Sequence, residues 1–241
     1  MISRLMRFSR QSSTRRWQRL SFLWAGWVTR FWHGPRLRAL GLDTIIHAPL
    51  FWTPEYIEVG NDVLIWPGCR FEAIDLDRAK TGSAPRIILS DGVSFQQHCH
   101  VTAARHVEIG ARTSVLFGVM ITDTDHRYDR IDQPPALQPL DIQPTVIGED
   151  CFIGARASIQ AGTRLGRHCI VGTNAVVRGA FPDYCVLVGV PARIVKRYDA
   201  TSGEWRRTAP DGSFFLTAPA DPIASPPCEP QKSGVSPKTH P

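Results

Sequence analysis

From Ile147 to Val177 an aliphatic residue recurs at every sixth position: Ile147, Ile153, Ile159, Leu165, Val171 and Val177. Four residues after each of the first five stands a small or compact residue, at Cys151, Ala157, Thr163, Cys169 and Ala175. Glycine follows the aliphatic residue directly at Gly148, Gly154, Gly166 and Gly172. This period matches neither the ~3.6-residue turn of a helix nor the alternation of a half-buried strand. It matches a solenoid in which each hexapeptide is one short flat strand and one turn. The aliphatic residue then points into the core, the small one packs at the corner, and glycine relieves the backbone where it bends.

The same phase runs upstream. Val59, Ile65 and Phe71 keep step, with Val63 and Cys69 at the small position; Leu89, Phe95 and Val101 follow, with Val93 and Cys99. After a two-residue slip come Ile109, Val115 and Ile121, with Thr113 and Val119. Two insertions break the pattern. One, 74–85, is polar and charged; the other, between Thr122 and Val146, holds Pro134, Pro135, Pro139 and Pro144 and has no period. Long loops on a solenoid are functional or unstructured and emerge on one face. The expected organisation is a basic, Trp-rich segment at 1–42, an all-β parallel β-helix at 43–198, and a Pro-rich, mostly disordered tail at 199–241.

Charge is segregated. Residues 1–40 hold nine Arg and no acid, which leaves 19 basic against 22 acidic groups in the rest of the chain. The net charge of +6 therefore belongs to the N-terminal segment and is no sign of a nucleic-acid-binding body. Of six cysteines, Cys69, Cys99, Cys151 and Cys169 fall on the inward small position. They read as small buried hydrophobes. The chain has no CxxC, and their even spread argues against a metal or redox site and for a reducing cytoplasm.

The apolar stretch 22–28 has no cleavage pattern after it and is too short to span a bilayer. Trp17, Leu20, Trp24, Trp27, Val28 and Phe31 instead share one side of a helix, with Arg15, Arg16, Arg19 and Arg30 elsewhere. Two readings stand together here. The helix lies on an anionic membrane surface, or it covers the open end of the solenoid, whose strand edges need a cap. At the other end, 179–182 reads as a turn, 185–190 as a strand and 189–192 as another turn, before the basic residues Arg193, Lys196 and Arg197. Phe214, Phe215 and Leu216 are candidates to dock on the body.

His126 stands at the mouth of the second insertion, where the repeat requires a small apolar residue at 125 and finds Asp125. Asp123 and Asp125 bring two carboxylates within reach of the ring, able to orient it and raise its basicity. The spacing alone leaves a general base and a solvated histidine in an acidic turn equally open, and it does not decide between the two carboxylates.

The hexapeptides, Thr-Asp-x-Asp-His before a proline-rich loop, Val-Ile-Gly-Glu-Asp-Cys-Phe-Ile-Gly-Ala, and Val-Gly-Val-Pro-Ala-Arg-Ile-Val-Lys together resemble the hexapeptide-repeat acyltransferases. The nearest branches are the galactoside, maltose and nodulation-factor O-acetyltransferases and those of colanic-acid type that modify polysaccharides. The resemblance covers about residues 40–198 and implies a left-handed β-helix, a homotrimer with sites between subunits, and acetyl-CoA as co-substrate. It gives His126 the role of general base toward the acceptor hydroxyl. Gln96 falls where relatives bind the acceptor with Asn, and Phe152 where relatives line the site with Trp. The Ala155 N–H falls where relatives stabilise the oxyanion. The stretch from Gly172 and Thr173 to Arg178 and Gly179, with Arg193 and Lys196, matches the CoA-binding end; Arg178-Gly179 departs from the family's Thr-Lys.

An acetyl-CoA:sugar O-acetyltransferase follows as the expected activity, on a glycan or lipid-linked sugar in exopolysaccharide or lipopolysaccharide biosynthesis. It needs no metal, because one neutral imidazole suffices to activate an alcohol. N-acetyl transfer to a nucleotide amino sugar is the alternative. A zinc carbonic anhydrase-like site from His98, His100, His106 or His126, and a non-catalytic scaffold, are rival classes. The expected location is the cytoplasm, with residues 1–40 touching the inner face of the membrane.

Overall fold

The computed structural model describes residues 13–74, 84, 86–209 and 211–215. Most of the 74–85 insertion, the first basic residues, and the tail beyond 215 with Cys228 lie outside these. So do the side chains of Arg15, Arg16 and Arg19. The body is a three-faced prism of parallel strands. The first face holds Ala39–Leu40, Ile57–Val59, Arg86–Leu89, His106–Ile109, Thr145–Ile147, Arg164–Leu165 and Ala180–Phe181. The second holds Ile45–Ile46, Leu64–Ile65, Ser94–Phe95, Ser114–Val115, Phe152–Ile153, Ile170–Val171 and Cys185–Gly189. The third holds Phe51–Trp52, Arg70–Ala73, His100–Ala103, Met120–Thr122, Ser158–Ile159 and Val176–Val177. Each turn of chain visits the three faces in order, which is the left-handed parallel β-helix.

The register follows from the repeat. Ile153 pairs with Val115 on one side and Val171 on the other, so like residues stack from coil to coil. Every expected inward position is buried, from Val59 to Val177, as is every small one, including Thr113 and Thr163. Fully burying an aliphatic side chain contributes about 1.5–3 kcal/mol, and the uninterrupted columns make that the main cohesive term. Gly154 shows why a bare backbone is needed at a corner. A Cβ there would meet Val171 O at 2.6 Å and Thr173 N at 2.7 Å, both main-chain atoms of the next coil.

The two-residue slip is Ala104–Arg105, an enlarged corner between the third and first faces. Its N–H groups cannot join a strand ladder and must find another acceptor. Asp123 supplies it: Oδ1 accepts from Ala104 N (2.8 Å), and Oδ2 from Arg105 N and His106 N (2.7 Å each).

Both ends differ from expectation. Strand structure starts at Ala39, before the boundary expected at 43, because Leu40, Ile46 and Trp52 already keep the six-residue step. The short helical turn Pro54–Tyr56 adds one residue before Val59 and hides that phase. At the far end, Ala192–Asp199 folds back antiparallel on Cys185–Gly189 and is itself paired with Glu204–Arg207. Order thus continues past the expected limit at 198. Phe214 sits 5.2 Å from the Arg206 guanidinium and 5.8 Å from that of Arg197, docked as the apolar run suggested.

The helix α1, Ser13–Val28, runs on through a wider turn at Thr29–His33 and covers the first coil. Phe22 meets the rings of His47 and Trp66 at 5.2 Å, and Ala25 and Thr29 are buried. Thr29 Oγ1 accepts from Ile46 N at 2.8 Å and donates to Ala25 O at 2.7 Å, closing an open strand edge.

Candidate active site

The second insertion is an ordered arm. It leaves the edge between the third and first faces as Thr124–His126, and returns as Leu140–Ile142, paired antiparallel with it. Gln138, almost fully buried, holds the loop shut. Its Nε2 donates to Arg130 O and Gln133 O (2.8 Å each), and its Oε1 accepts from Arg130 N at 3.2 Å. Four prolines and no period concealed this order in the sequence, since a single buried amide leaves no periodic trace.

His126 stands on the outgoing strand, exposed, opposite Leu140. The two carboxylates expected near its ring are committed elsewhere. Asp123 is fully buried and takes the three N–H groups of the enlarged corner. Asp125 Oδ1 accepts the main-chain N–H of His126 at 2.9 Å, and its Oδ2 lies 3.1 Å from Arg178 Nη1. Neither holds the imidazole within the chain; alternation along the strand turns Asp125 away from its neighbour. The cleft round His126 is lined also by Arg127, Tyr128, Asp129 and Asp141. Asp141 lies opposite Asp125 in the hairpin, and Arg127 pairs with Asp129 at 2.9 Å, holding that carboxyl below its ordinary range. These four were not read from the sequence, because the hairpin pairing that brings them together is not periodic.

The remaining candidates occupy a different edge. Gln96, Ala155, Gly172 and Thr173 all sit in turns between the second and third faces. Gln96 Oε1 accepts from Phe117 N at 3.2 Å, one coil on. The half-buried Ala155 N–H, at the equivalent turn position of its coil, donates to no group among the described residues. Phe152 projects from the second face between Ser114 and Ile170, about half exposed. Arg193 and Lys196 lie on the appended strand opposite Val188 and Val186, both exposed. The stretch 172–179 is therefore divided: Gly172 and Thr173 are at this edge, and Arg178 is at the edge of His126, already paired with Asp125.

The histidines of the zinc reading also separate. His98 packs edge-on against Phe117, His100 bonds Thr102 Oγ1 (2.8 Å) on the third face, and His106 bonds Glu108 (3.1 Å) on the first. Among the described residues no group of three His, Cys, Asp or Glu is placed to hold a metal ion.

Comparison with known proteins bears on the same features. A family model described as the hexapeptide repeat of succinyl-transferase matches residues 144–178. A protein of Mycobacterium tuberculosis named as an acetyltransferase, Rv3034c, is 39% identical over 184 residues, 76% of this chain and 56% of that protein. WbbJ of Escherichia coli, named for O-acetyl transfer in lipopolysaccharide biosynthesis, is 33% identical over 128 residues, 50% of this chain and 65% of that protein. The chain thus spans just over half of the first relative and under two thirds of the second. The crystal structure of AntD, an N-acyltransferase from Bacillus cereus with dTDP and 3-hydroxybutyryl-CoA, superposes with a TM-score of 0.58 at 15% identity, over 70% of this chain and 87% of that one. That likeness shows a shared fold. The repeat stacked in the core of the prism matches the hexapeptide-repeat model, and both relatives are named as acetyltransferases, so the chain is similar to the hexapeptide-repeat acyltransferases.

Proposed function

We propose that the protein is an acetyl-CoA-dependent O-acetyltransferase that works as a homotrimer on a sugar hydroxyl of a glycan. The observation that carries this reading is the division of the candidate groups between two edges of one protomer. His126 projects from the edge between the third and first faces, and the Ala155 N–H, without an acceptor among the described residues, lies on the edge between the second and third. One chain alone cannot bring a base and an oxyanion donor to the same carbonyl. A threefold assembly that sets one edge against the other completes one site at each interface, which is the economical closed symmetry for such a contact.

In that site the His126 imidazole takes the proton of the acceptor hydroxyl as its oxygen attacks the thioester carbonyl. The C–O bond forms, the C–S bond breaks, and the proton passes from the imidazolium to the departing thiolate. The Ala155 N–H donates to the carbonyl oxygen as it gains charge, an interaction strongest in the transition state. The turn at Gly172 and Thr173 is open to solvent beside Ala155, and Arg193 and Lys196 offer exposed cations for the phosphates of the co-substrate. Around His126, the carboxylates of Asp125, Asp129 and Asp141 can accept hydrogen bonds from a polyhydroxylated acceptor. The name of WbbJ supports a polysaccharide or lipopolysaccharide precursor. Buried, unpaired cysteines suit a reducing cytoplasm, where acetyl-CoA is available.

The test incubates purified protein and acetyl-CoA with a panel of glycans, lipid-linked sugars and nucleotide amino sugars, read by product mass. An acetyl group on a hydroxyl is the expected product. Transfer to amines alone, or none to any acceptor, overturns the reading.

A further inference from the structure

The helix α1 meets the solenoid with the side opposite its row of large aromatic residues. Phe22, Ala25 and Thr29 form the inward row, and they close the open strand edge and cover the first coil. The opposite row, Leu20, Trp24, Trp27 and Phe31, follows the i, i+4, i+7, i+11 spacing of one helical side and faces outward. Trp17 is 73% exposed, Trp24 65%, Trp27 55% and Phe31 62%. The rings are already assembled: Trp24 and Trp27 stack at 5.4 Å, and Trp27 meets Phe31 at 5.1 Å. Trp32 continues the patch, with the Arg36 guanidinium 4.2 Å from its ring centre. Capping the solenoid therefore accounts for the inner side of the helix and leaves the aromatic side unexplained. A soluble chain rarely leaves so continuous an apolar surface uncovered without a partner for it.

Charge selects the partner. The first 40 residues hold nine Arg and no acid, while the rest of the chain is slightly acidic. Two copies meeting through this face would bring two arginine-rich segments together, which like-charge repulsion opposes. An anionic lipid surface complements the arginines, and tryptophan is the residue most at home where hydrocarbon meets headgroup. Among the described residues no helix is long and apolar enough to cross a membrane, so contact is in the plane of the interface. We infer that the outward face of α1, from Trp17 to Trp32, docks the protein on an anionic bilayer surface. This does not rest on the acetyl-transfer reading.

Deleting the helix would also uncap the first coil, so the informative change is confined to the outward row. The full chain and a Trp24→Ser/Trp27→Ser/Phe31→Ser variant are sedimented with phosphatidylcholine vesicles, with and without phosphatidylglycerol, at low and high salt. The full chain is expected to bind the anionic vesicles at low salt and to be released as salt screens the arginines. The variant is expected to bind at least about tenfold more weakly, with an unchanged unfolding midpoint. Quenching of the native chain's tryptophans by lipids brominated along the acyl chains is expected as well, and needs no variant. Absence of quenching, equal sedimentation of chain and variant, or no binding at low salt overturns the inference. So does lipid-free self-association that the substitutions abolish, which would make the occupant a second copy of this chain.

Discussion

Arg178 Nη1 lies 3.1 Å from Asp125 Oδ2, joining residues 53 positions apart. The pair ties the last turn of the third face to the strand that carries His126. Both side chains are about half exposed, so the contact contributes only ~0–1 kcal/mol to folding. Its effect is to fix where the His126 main chain runs. Asp125→Asn and Arg178→Ala should leave the unfolding midpoint nearly unchanged. Each should lower kcat for the proposed acetyl transfer by about tenfold through misplacement of His126. The double variant should be no worse than either single one, since both remove the same link. Additive losses would mean that Arg178 acts on the co-substrate independently of Asp125.

Asp123, two residues away, should behave oppositely. Its oxygens take three main-chain N–H groups in a fully buried corner. Asp123→Asn turns one oxygen into a donor facing other donors, a cost on the order of 3 kcal/mol. Urea unfolding should show that loss, while activity per folded molecule stays close to that of the parent. A stable Asp123→Asn protein with little activity would place this carboxylate in the chemistry after all.

The contrast marks what the sequence discloses and what it conceals. Inward rows are legible because burial repeats with the backbone, and Thr113 and Thr163 followed the same phase as their apolar counterparts. One extra residue at Pro54–Tyr56 hides the first coil from the six-residue phase. Asp123 looked like a partner of His126 because they are close along the chain. Its real partner is the slip at Ala104–Arg105, visible in the sequence as a break in phase whose free N–H groups had to be satisfied somewhere. The split of the candidate groups between two edges was readable too. Counting hexapeptides in threes assigns each residue to a corner and separates Gln96 and Ala155 from His126. The arm from Arg127 to Pro139 was not readable, because its order rests on Gln138 and on pairings with no period.

The divided site yields a subunit-mixing prediction. His126→Gln removes the proposed base and should reduce activity about 10²–10⁴-fold. Phe152→Asp places a charge on the other half-site and should also inactivate. Refolded together in equal amounts, the two inactive proteins should regain about a quarter of the parental activity, because random trimers pair an intact edge with an intact edge at that frequency. No recovery in mixtures proven to exchange subunits would confine the site to one protomer.

Alkylation tests the inward phase. Cys69, Cys99, Cys151, Cys169 and Cys185 are all buried. The thiol of Cys99 is pushed up by its hydrogen bond with Cys69 and by burial, and that of Cys151 by its hydrogen bond with Cys169 and by burial. A thiol covered by the packed core is shielded from reagent and reacts slowly. Mass mapping of native protein at neutral pH should find these five unmodified while Cys228 is labelled. Rapid labelling of Cys151 would place the second-face column out of register.

Acid should loosen the appended hairpin before the prism. Asp199 accepts hydrogen bonds from Arg206 Nη1 (2.9 Å), Thr201 N (3.0 Å) and Ser202 Oγ (3.0 Å). The Arg206 contact, then the Thr201 and Ser202 bonds, hold its carboxyl at about 2, below the usual 3.8. A carboxyl depressed in the folded state binds its proton more readily once released, so stability falls as pH falls. The contribution is complete above pH 3.8 and disappears as the pH drops toward 2. Trp205, next to Tyr198 at 5.9 Å and His168 at 6.2 Å, reports on the strand. Its indole resonance should shift across that window in the parent and lack this transition in Asp199→Asn, where no carboxyl titrates. Identical acid profiles for the two proteins would show that Asp199 does not anchor the hairpin.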